Sequence, residues 1–405
     1  MTQAQIAHGI HSMDSSSSIS LASISARLGV LQVLPNMEGN GPARAAFETA
    51  ASVVAAGGRA VVAAGEGPLV FDLLRCGAVP VTMALEGERK LARRAYLRRL
   101  LQLIQEHRIS IVHAREPQAA ALAQEAARQA GVRFVTTCHG CYDASTQALR
   151  ERHAVMTRAS RVVAVSENVA RHLAAHFPLP GGEPLVIPPG LDLSRFDPTR
   201  VGAERIAQLA QNWRLPDGVP VVMLPGRLTR SRGQWALLKA LGQLGPRELH
   251  CVLVADDAGS PGYHRELMQL AARLSVEARL TIVGECRDMP AAYMLADVVV
   301  YARSGSNGFA RVAAEAQAMG RPLVAYDSPL LREQTAGTRM TWLVPGEDRA
   351  ALAFAIAEAI TLSAAEREAL APLSSASIRQ RYNRADAAAA MIELYLELLS
   401  EAKAA

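Results

Sequence analysis

The sequence predicts an α/β protein of two doubly wound, Rossmann-like domains that face each other across a ligand-binding cleft. Short apolar runs alternate along the chain with amphipathic, alanine-rich stretches, and the alternation is interrupted once near the middle. Continuous apolar runs are typical of strands buried on both faces, which implies parallel sheets covered by helices. The length of 405 residues also exceeds what a single hydrophobic core supports.

The first half of the chain carries six predicted strands and four predicted helices. The strands are Gly29–Leu34, Ala60–Ala64, Ile109–His113, Arg133–Thr137, Arg161–Val165 and Leu185–Pro188. The helices are Ala43–Ala56, Arg89–His107, Pro117–Ala130 and Glu167–His176. Sheets of this kind bind ligands beyond the carboxyl ends of their strands, so functional residues are expected in the loops that follow the strands.

A stretch rich in Pro, Gly and Asp, residues 188–202, then predicts an interdomain linker. Beyond it the strands Val219–Leu224, His250–Ala255, Leu280–Val283, Val298–Tyr301 and Pro322–Ala325 are predicted. Helices are predicted at Gln234–Leu244, Tyr263–Leu274, Val312–Met319 and Arg349–Ile360, before a long terminal helical region over about 364–400.

Bulk composition favours a cytoplasmic globular protein. The five cysteines are scattered and odd in number, which argues against a disulfide framework and for a reducing compartment.

No apolar run approaches the length of about 18 residues that predicts a spanning helix. Residues 1–26 are polar and predict a disordered leader, not a signal peptide. The net charge of +5 is a small excess without an aromatic platform, so nucleic acid is not an expected partner.

The run CHGC places Cys138 and Cys141 on either side of His139. A zinc site needs a fourth ligand, and no second cluster supplies one, so packed or free thiols are favoured and no metal is expected.

Residues 89–99, RKLARRAYLRR, predict a basic amphipathic helix. Arg93, Arg94, Arg98 and Arg99 lie beside an apolar face that begins at Leu97. This pattern is typical of a helix that makes reversible peripheral contact with an anionic membrane, and equally of a solvated face on a core-packed helix.

Two loops that follow predicted strands have residues suited to binding phosphate. In Pro35–Arg44, PNMEGNGPAR, Gly39 and Gly41 let the backbone approach a ligand, and the next helix offers free N–H groups to an anion. The loop is not a G-x-G-x-x-G fingerprint, because Arg44 stands at the third glycine. In Pro225–Gln234, PGRLTRSRGQ, three arginines precede a helix, which suits a diphosphate.

A third segment, Ser304–Ala325, has a Gly/Ser loop followed by a helix that carries Glu315. With VLQVLP, IVHAREP, FVTTCHG, VVAVSENVARHL, VIPPGLDLSRFDP and PGRLTR, it resembles the motif order of family 4 glycosyltransferases over residues 27 to 400. The resemblance implies the GT-B fold and retaining sugar transfer from a nucleotide diphosphate donor to an acceptor, without a bound metal. It also implies an acceptor-side domain at 27–190, a nucleotide-sugar-binding domain at 191–375 and a helix at 376–405 that crosses back.

Individual residues follow from the same resemblance. His139 and Asn307 match catalytic positions, and the donor-binding positions are Gly41, Arg227, Arg232, Phe309 and Glu315. Glu315 matches the second Glu of the family's E-x7-E motif, which takes the ribose, and Arg227 matches a diphosphate-binding Arg. A glycolipid, a lipopolysaccharide intermediate or another glycan is the expected acceptor, at the inner face of the membrane.

The sequence also departs from the family pattern around the transferred sugar. Asn307 replaces the first Glu of E-x7-E, Arg232 replaces a Lys, and Asn40 replaces one glycine of a Gly-Gly pair. A second Gly-Gly pair is replaced by Pro329 and Leu330. Two hypotheses therefore stay open: an active retaining glycosyltransferase, and a catalytically impaired relative that acts as a nucleotide-binding or scaffold subunit. A sugar-nucleotide epimerase is a more distant alternative, since its acidic and His residues cannot be placed.

Overall fold

A computed structural model describes residues 28–83, 90–245, 248–255, 261–303, 305 and 308–404 of the chain. The chain divides into two compact units. The first contains the chain up to Gly190 together with the segment from Arg384 onward, and the second runs from Leu191 to Asn383. The predicted disordered leader at 1–26 lies outside the described residues.

The first unit is built on a seven-stranded sheet in the order β3-β2-β1-β4-β5-β6-β7, with all neighbours parallel. Its strands are β1 Gly29–Val33, β2 Arg59–Ala64, β3 Val79–Thr82, β4 Ile111–Ala114, β5 Arg133–Cys138, β6 Arg161–Ala164 and β7 Leu185–Val186. Every residue of β1 and β4 is buried, as expected of central strands covered on both faces.

Helices cover both faces of this sheet. They are α1 Gly41–Ala55, α2 Leu69–Arg75, α3 Lys90–Glu106, α4 Pro117–Ala130, α5 Gln147–His153, α6 Glu167–His176 and the C-terminal helix α15 Arg384–Ala404. One core joins the sheet to α3, α4 and α6. A second core joins its other side to α1, α2 and the apolar residues Met391, Leu394, Tyr395 and Leu398 of α15.

The second unit has a six-stranded parallel sheet in the order β10-β9-β8-β11-β12-β13. Its strands are β8 Val221–Pro225, β9 His250–Val254, β10 Leu280–Val283, β11 Val298–Tyr301, β12 Leu323–Tyr326 and β13 Thr341–Val344. Its helices are α7 Ala203–Asn212, α8 Gln234–Gln243, α9 Pro261–Arg273, α10 Met289–Leu295, α11 Arg311–Ala318, α12 Pro329–Gln334, α13 Arg349–Thr361 and α14 Ala364–Arg381.

The predicted class of two parallel α/β sheets is confirmed, but two edge strands were not predicted. Within the described residues, β3 lies at one edge of its sheet, contains Pro80 and pairs with β2, and β13 lies at the edge of the other sheet and pairs with β12. Both strands are partly exposed. A partly exposed strand does not need to be apolar throughout, so neither strand has the continuous apolar run by which the others were predicted. Proline is tolerated at a sheet edge because one side of the strand needs no ladder hydrogen bonds.

The interpretation of 188–202 as a linker is wrong for most of its length. Leu191, Phe196 and Val201 are buried in the core of the second unit, and Leu191 forms a parallel bridge with Asn383. The stretch lacks periodicity because it is irregular structure packed on a domain. The predicted terminal helical region is likewise two helices, α14 and α15, separated at Tyr382 and Asn383.

The amphipathic pattern of 89–99 is explained by packing. Leu100, Leu103 and Ile104 of α3 are buried in the first core, whereas Arg93 and Arg94 are exposed. The apolar face of α3 is therefore occupied by the protein itself. Position 89 lies outside the described residues. Within the described chain, no helix combines the length and apolar character needed to cross a membrane.

Candidate functional site

Each of the two units brings predicted site residues to the carboxyl edge of its own sheet. In the first unit, β1 leads into the loop before α1. Asn40 caps α1, since its side-chain oxygen accepts a hydrogen bond from the backbone N–H of Ala43 at 2.9 Å. Gly41 is the exposed first residue of the helix, and a Cβ added there would meet no atom within 4 Å. The helix N-terminus beside Gly41 is thus sterically open to a ligand.

A second loop, which the sequence did not single out, holds this one in place. Met37 N–H donates to the Glu66 carbonyl at 3.1 Å, and Gly65 N–H donates to the Pro35 carbonyl at 2.8 Å. Gly67 has a φ of 156°, and a Cβ on it would lie 2.1 Å from the Met37 carbonyl carbon. Only glycine allows the two loops to approach so closely.

His139 follows β5 directly and is half-buried. Its Nε2 atom is buried and has no hydrogen-bond partner among the described residues. Burial, followed by repulsion from Arg115, lowers the pKa of His139 to about 3. The ring is therefore neutral near pH 7, so it suits hydrogen bonding to a ligand and not charge pairing.

The two thiols on either side of His139 differ in burial, since Cys138 is buried and Cys141 is half-buried. Cys138 is buried, and burial raises its pKa to about 12, so it stays a protonated, packed thiol. Within the described part of the chain, no group of three or more His, Cys, Asp or Glu side chains could hold a metal ion.

Arg115, which directly follows β4, lines a pocket together with His139. It was not singled out from the sequence, although its motif IVHAREP was noted. It is 1% exposed. Its Nε donates to Gln32 Oε1 at 2.7 Å, and its Nη2 donates to Thr49 Oγ1 at 2.6 Å. Burial lowers its pKa to about 10, against the weaker opposing attraction of Tyr395 and Glu48. It stays charged at neutral pH.

His113 lies two residues earlier on β4 and is also fully buried. Its Nδ1 lies 2.5 Å from the hydroxyl of Tyr395 on α15, and its Nε2 lies 2.7 Å from Thr137 Oγ1 on β5. Burial lowers its pKa well below the ordinary value. This chain of hydrogen bonds ties the C-terminal helix to the central strands of the first unit.

In the second unit, the arginine-rich loop after β8 is organised by Gln234. This buried side chain donates from Nε2 to the Arg227 carbonyl at 2.8 Å. Arg230 pairs with Glu266 at 2.5 Å and lies over the rings of Trp235 and Tyr263, so it is engaged by α8 and α9. Arg230 is thus held on the surface by an ion pair and two aromatic rings.

The predicted diphosphate-binding pair, Arg227 and Arg232, is half-buried. The Cδ atom of Arg232 lies 3.9 Å from the position of a Cβ at Gly226. The 3₁₀ turn Arg230–Arg232 thus folds back over the end of β8.

Glu315 is 9% exposed, so it is not a surface carboxylate. Its Oε2 accepts a hydrogen bond from the hydroxyl of Tyr293 on α10 at 2.8 Å. Tyr293, which is fully buried, was not identified from the sequence. A buried hydroxyl that donates to Glu315 restricts the rotamer of the carboxylate.

The loop before α11 carries the remaining predicted donor residues. Phe309 is half-buried, and its ring packs against Tyr382 with centroids 5.3 Å apart. Gln334 holds the next residue through two hydrogen bonds: Ala310 N–H donates to Oε1 at 3.0 Å, and Nε2 donates to the Ala310 carbonyl at 2.8 Å. Asn307 lies outside the described residues.

Two family models match the chain. One is described as Glycosyltransferase Family 4 and matches residues 39–195, and the other as Glycosyl transferases group 1 and matches residues 219–361. The D-inositol 3-phosphate glycosyltransferase of Xylanimonas cellulosilytica is 34% identical over 216 residues, covering 52% of this chain and 51% of the relative. That of Nocardiopsis dassonvillei is 35% identical over 185 residues, covering 44% and 42%. The matches thus span about half the length of these curated relatives.

Solved structures resemble almost the whole chain. A glycosyltransferase from Rickettsia africae has a TM-score of 0.83 at 22% identity and covers 92% of this chain and 98% of its own. Anabaena HepE in complex with UDP and glucose has a TM-score of 0.79 at 21% identity, with coverage of 91% and 99%. WaaG, a glycosyltransferase involved in lipopolysaccharide biosynthesis, has a TM-score of 0.71 at 15% identity, with coverage of 90% and 99%. These likenesses confirm the predicted GT-B fold.

The hydrogen bond between Tyr293 and Glu315 predicts a stability effect. We expect Tyr293→Phe to lower the free energy of unfolding by about 1.5–3 kcal/mol, because the carboxylate loses a buried donor. Tyr326→Phe is a matched control, since the buried Tyr326 hydroxyl has no hydrogen-bond partner among the described residues. Urea denaturation should therefore leave Tyr326→Phe at or above wild-type stability. Equal losses in the two variants would contradict this.

The lowered pKa of His139 predicts a pH dependence of stability. The folded state binds this proton only near pH 3, whereas the unfolded chain binds it near the ordinary value of 6.5. The contribution of His139 to the free energy of unfolding is therefore complete above pH 6.5. It falls as the pH decreases toward 3, with a slope approaching about 1.4 kcal/mol per pH unit.

Urea denaturation between pH 7.5 and 5 measures this dependence. We expect His139→Gln to lose that part of the slope, whereas His176→Gln, at an exposed position, should keep the wild-type slope. An unchanged slope in His139→Gln would show that its proton does not distinguish the folded from the unfolded state.

Proposed function

We propose that this chain, which belongs to the family 4 glycosyltransferases of the GT-B fold, transfers a sugar from a nucleotide diphosphate donor to an acceptor hydroxyl with retention of configuration. The observation that carries this proposal is that both family models match, one on each unit, at residues 39–195 and 219–361. Together they span about three quarters of the chain.

In this proposal, the second unit holds the donor. Arg227 and Arg232 bind the diphosphate, for which the guanidinium fork is well suited. Glu315 accepts hydrogen bonds from the ribose hydroxyls, and the bond from Tyr293 fixes its carboxylate for that purpose. Phe309 lies six residues before Glu315 and contributes apolar surface beside the donor. The structure of HepE in complex with UDP and glucose supports a uridine nucleotide as the first candidate.

The first unit is proposed to hold the acceptor. Gly41, which is a predicted donor-binding residue, leaves the start of α1 open to a phosphate of the donor. His139 offers a neutral ring nitrogen to the donor sugar or the acceptor. The acceptor would be a glycolipid, a lipopolysaccharide intermediate or another glycan. The likeness to WaaG, a glycosyltransferase involved in lipopolysaccharide biosynthesis, supports that class.

We also propose contact with a membrane, through fewer residues of α3 than the sequence predicts. The apolar face of α3 is packed in the core, so only exposed cations such as Arg93, Arg94 and Arg98 would face an anionic surface. Each contributes about 1 kcal/mol near such a surface, which makes the contact reversible. The proposed location is cytoplasmic, at the inner face of the membrane.

The transfer step exchanges one bond to the anomeric carbon for another. The bond from that carbon to the phosphate oxygen breaks, and a bond to the acceptor oxygen forms on the same face. The acceptor proton passes to the departing diphosphate, whose growing charge Arg227 and Arg232 stabilise. Charge stabilisation that increases toward the transition state raises turnover. Asn307 would hydrogen-bond a sugar hydroxyl.

Thermal unfolding in the presence of UDP, GDP, ADP and their common sugar conjugates tests the donor site. A ligand at 100 times its dissociation constant stabilises the folded state by about 2.7 kcal/mol. We expect one nucleotide family to raise the melting temperature, and Glu315→Gln to reduce that shift. Glu358→Gln, at an exposed position on α13, is the control and should keep it. No shift with any nucleotide would exclude a donor site of the kind proposed.

The alternative function is a catalytically impaired relative that binds a nucleotide or acts as a scaffold. Asn307, in place of the first motif Glu, favours this alternative, because an amide cannot stabilise positive charge on a sugar ring. For an active enzyme, we expect Asn307→Glu to raise turnover by roughly ten- to a hundredfold. Measured turnover that stays at background in both wild type and Asn307→Glu, with nucleotide binding intact, would favour the impaired relative.

A further inference from the structure

The arginine that follows β11, Arg303, differs from two other arginines at the same edge of the second sheet. Arg230 pairs with Glu266, and Arg332 pairs with Asp327. Arg303 is half-buried and forms no ion pair among the described residues, and its buried Nε atom has no hydrogen-bond partner. Because a partly desolvated guanidinium without a partner costs free energy, an arginine in this state points to a ligand that carries negative charge.

Arg303 lies beside the loop that is proposed to bind the diphosphate. β8 and β11 are neighbouring parallel strands, so the loops that follow them leave the same edge of the sheet. Gly233, at the end of the arginine loop, has a φ of 92°, and a Cβ added there would collide with the carbonyl oxygen of Ala302. The two backbones therefore touch, and Arg232 and Arg303 each lie one residue from that contact. An anionic group next to a diphosphate on Arg232 would thus lie close to Arg303.

The part of the donor that remains to be matched with Arg303 is the sugar. In the proposed function the diphosphate already has two cations, Arg227 and Arg232. The family resemblance places position 307, in the loop after β11, beside the transferred sugar. Position 307 is four residues from Arg303, a separation of at most about 14 Å along the chain. Both positions therefore act on one region of the donor.

The charges of this loop favour an acidic sugar. Asn307 stands where the family motif has Glu, so a carboxylate that would repel a negatively charged sugar is replaced by a neutral amide. Arg303 adds a cation that attracts such a sugar. A neutral sugar would leave the charge of Arg303 without compensation, so the same residue discriminates against it.

We propose that the donor is a nucleotide-linked hexuronic acid and that Arg303 pairs with the carboxylate of its sugar. A guanidinium fork and a carboxylate match in two parallel N–H···O bonds, which gives this contact both strength and direction. The inference rests on the proposed function, because it names the class of sugar that the same donor site takes.

Isothermal titration of the full chain with UDP-glucuronate and with UDP-glucose tests this inference. The two ligands differ only at C6 of the sugar, where a carboxylate replaces a hydroxymethyl group. We expect the wild type to bind the acid at least about tenfold more tightly, since a charge-assisted bond is gained. GDP-mannuronate and GDP-mannose are the corresponding pair if thermal unfolding selects a guanine nucleotide.

Arg303→Gln should abolish the preference for the acid. Its affinity for UDP-glucuronate should fall about tenfold, whereas its affinity for UDP-glucose and for UDP should change less than about twofold. The melting temperature should stay at the wild-type value, because Arg303 has no ion pair to lose among the described residues. Arg273→Gln, which removes an exposed cation at the last residue of α9, is the control and should keep the preference.

Asn307→Glu tests the same charge from a second position, even if Arg303→Gln proves unstable. The restored carboxylate should weaken UDP-glucuronate about tenfold without weakening UDP-glucose. The gain in turnover expected of this variant therefore applies to a neutral donor sugar.

The outcomes separate this inference from the proposed function. Equal affinity of the wild type for the acidic and the neutral sugar, with UDP still bound, overturns the inference and leaves the proposed function intact. A preference for the acid that survives in folded Arg303→Gln does the same, and so does an equal loss of UDP and UDP-glucuronate, because Arg303 would then bind the diphosphate. A folded wild type that binds none of these nucleotides overturns both.

Discussion

The arrangement of the first unit depends on one buried cation. Arg115, at the end of β4, donates hydrogen bonds to Gln32 on β1 and Thr49 on α1, so a single side chain fixes two strands and a helix relative to one another. Two residues earlier, His113 connects β5 to the C-terminal helix through Thr137 and Tyr395. Because removing one partner of a buried polar network leaves the others unsatisfied, such a network holds its elements in one arrangement. That arrangement sets the position of His139 and the shape of the pocket that His139 and Arg115 line.

The second unit is also held together by buried polar side chains, but these are neutral. Gln234 holds the arginine loop by its backbone, Gln334 holds the start of α11, and Tyr293 holds the carboxylate of Glu315. Each of these three side chains is buried. Loops that carry ligand-binding residues need such support, since their own backbone has few regular hydrogen bonds. The residues proposed to bind the donor are thus positioned by neutral amides and a hydroxyl.

The sequence predicted the central parts of the fold because their physical signal is local. Buried parallel strands such as β1 and β11 are continuous apolar runs, and the helices between them carry an apolar stripe. The edge strand β3 has neither signal, and it contains Pro80. Family resemblance placed Glu315 and Arg227, but it could not show Tyr293 or Arg115 as site residues. Their importance comes from contacts between residues far apart in sequence, such as the pairing of Arg115 with Gln32. The signal for Arg115 was present in IVHAREP, where an arginine follows a buried strand directly.

The proposed activity requires that the chain cleave the bond between a sugar and a nucleotide diphosphate. The most direct test needs no knowledge of the acceptor: release of the nucleoside diphosphate from each common nucleotide sugar, with water as the only acceptor, measured at long times by chromatography. We expect slow release from one nucleotide sugar, lost in Arg227→Ala and retained in Arg230→Ala, since Arg230 is engaged by Glu266. Background release from every nucleotide sugar tested, by a folded protein that binds the nucleotide, would contradict the claim of activity.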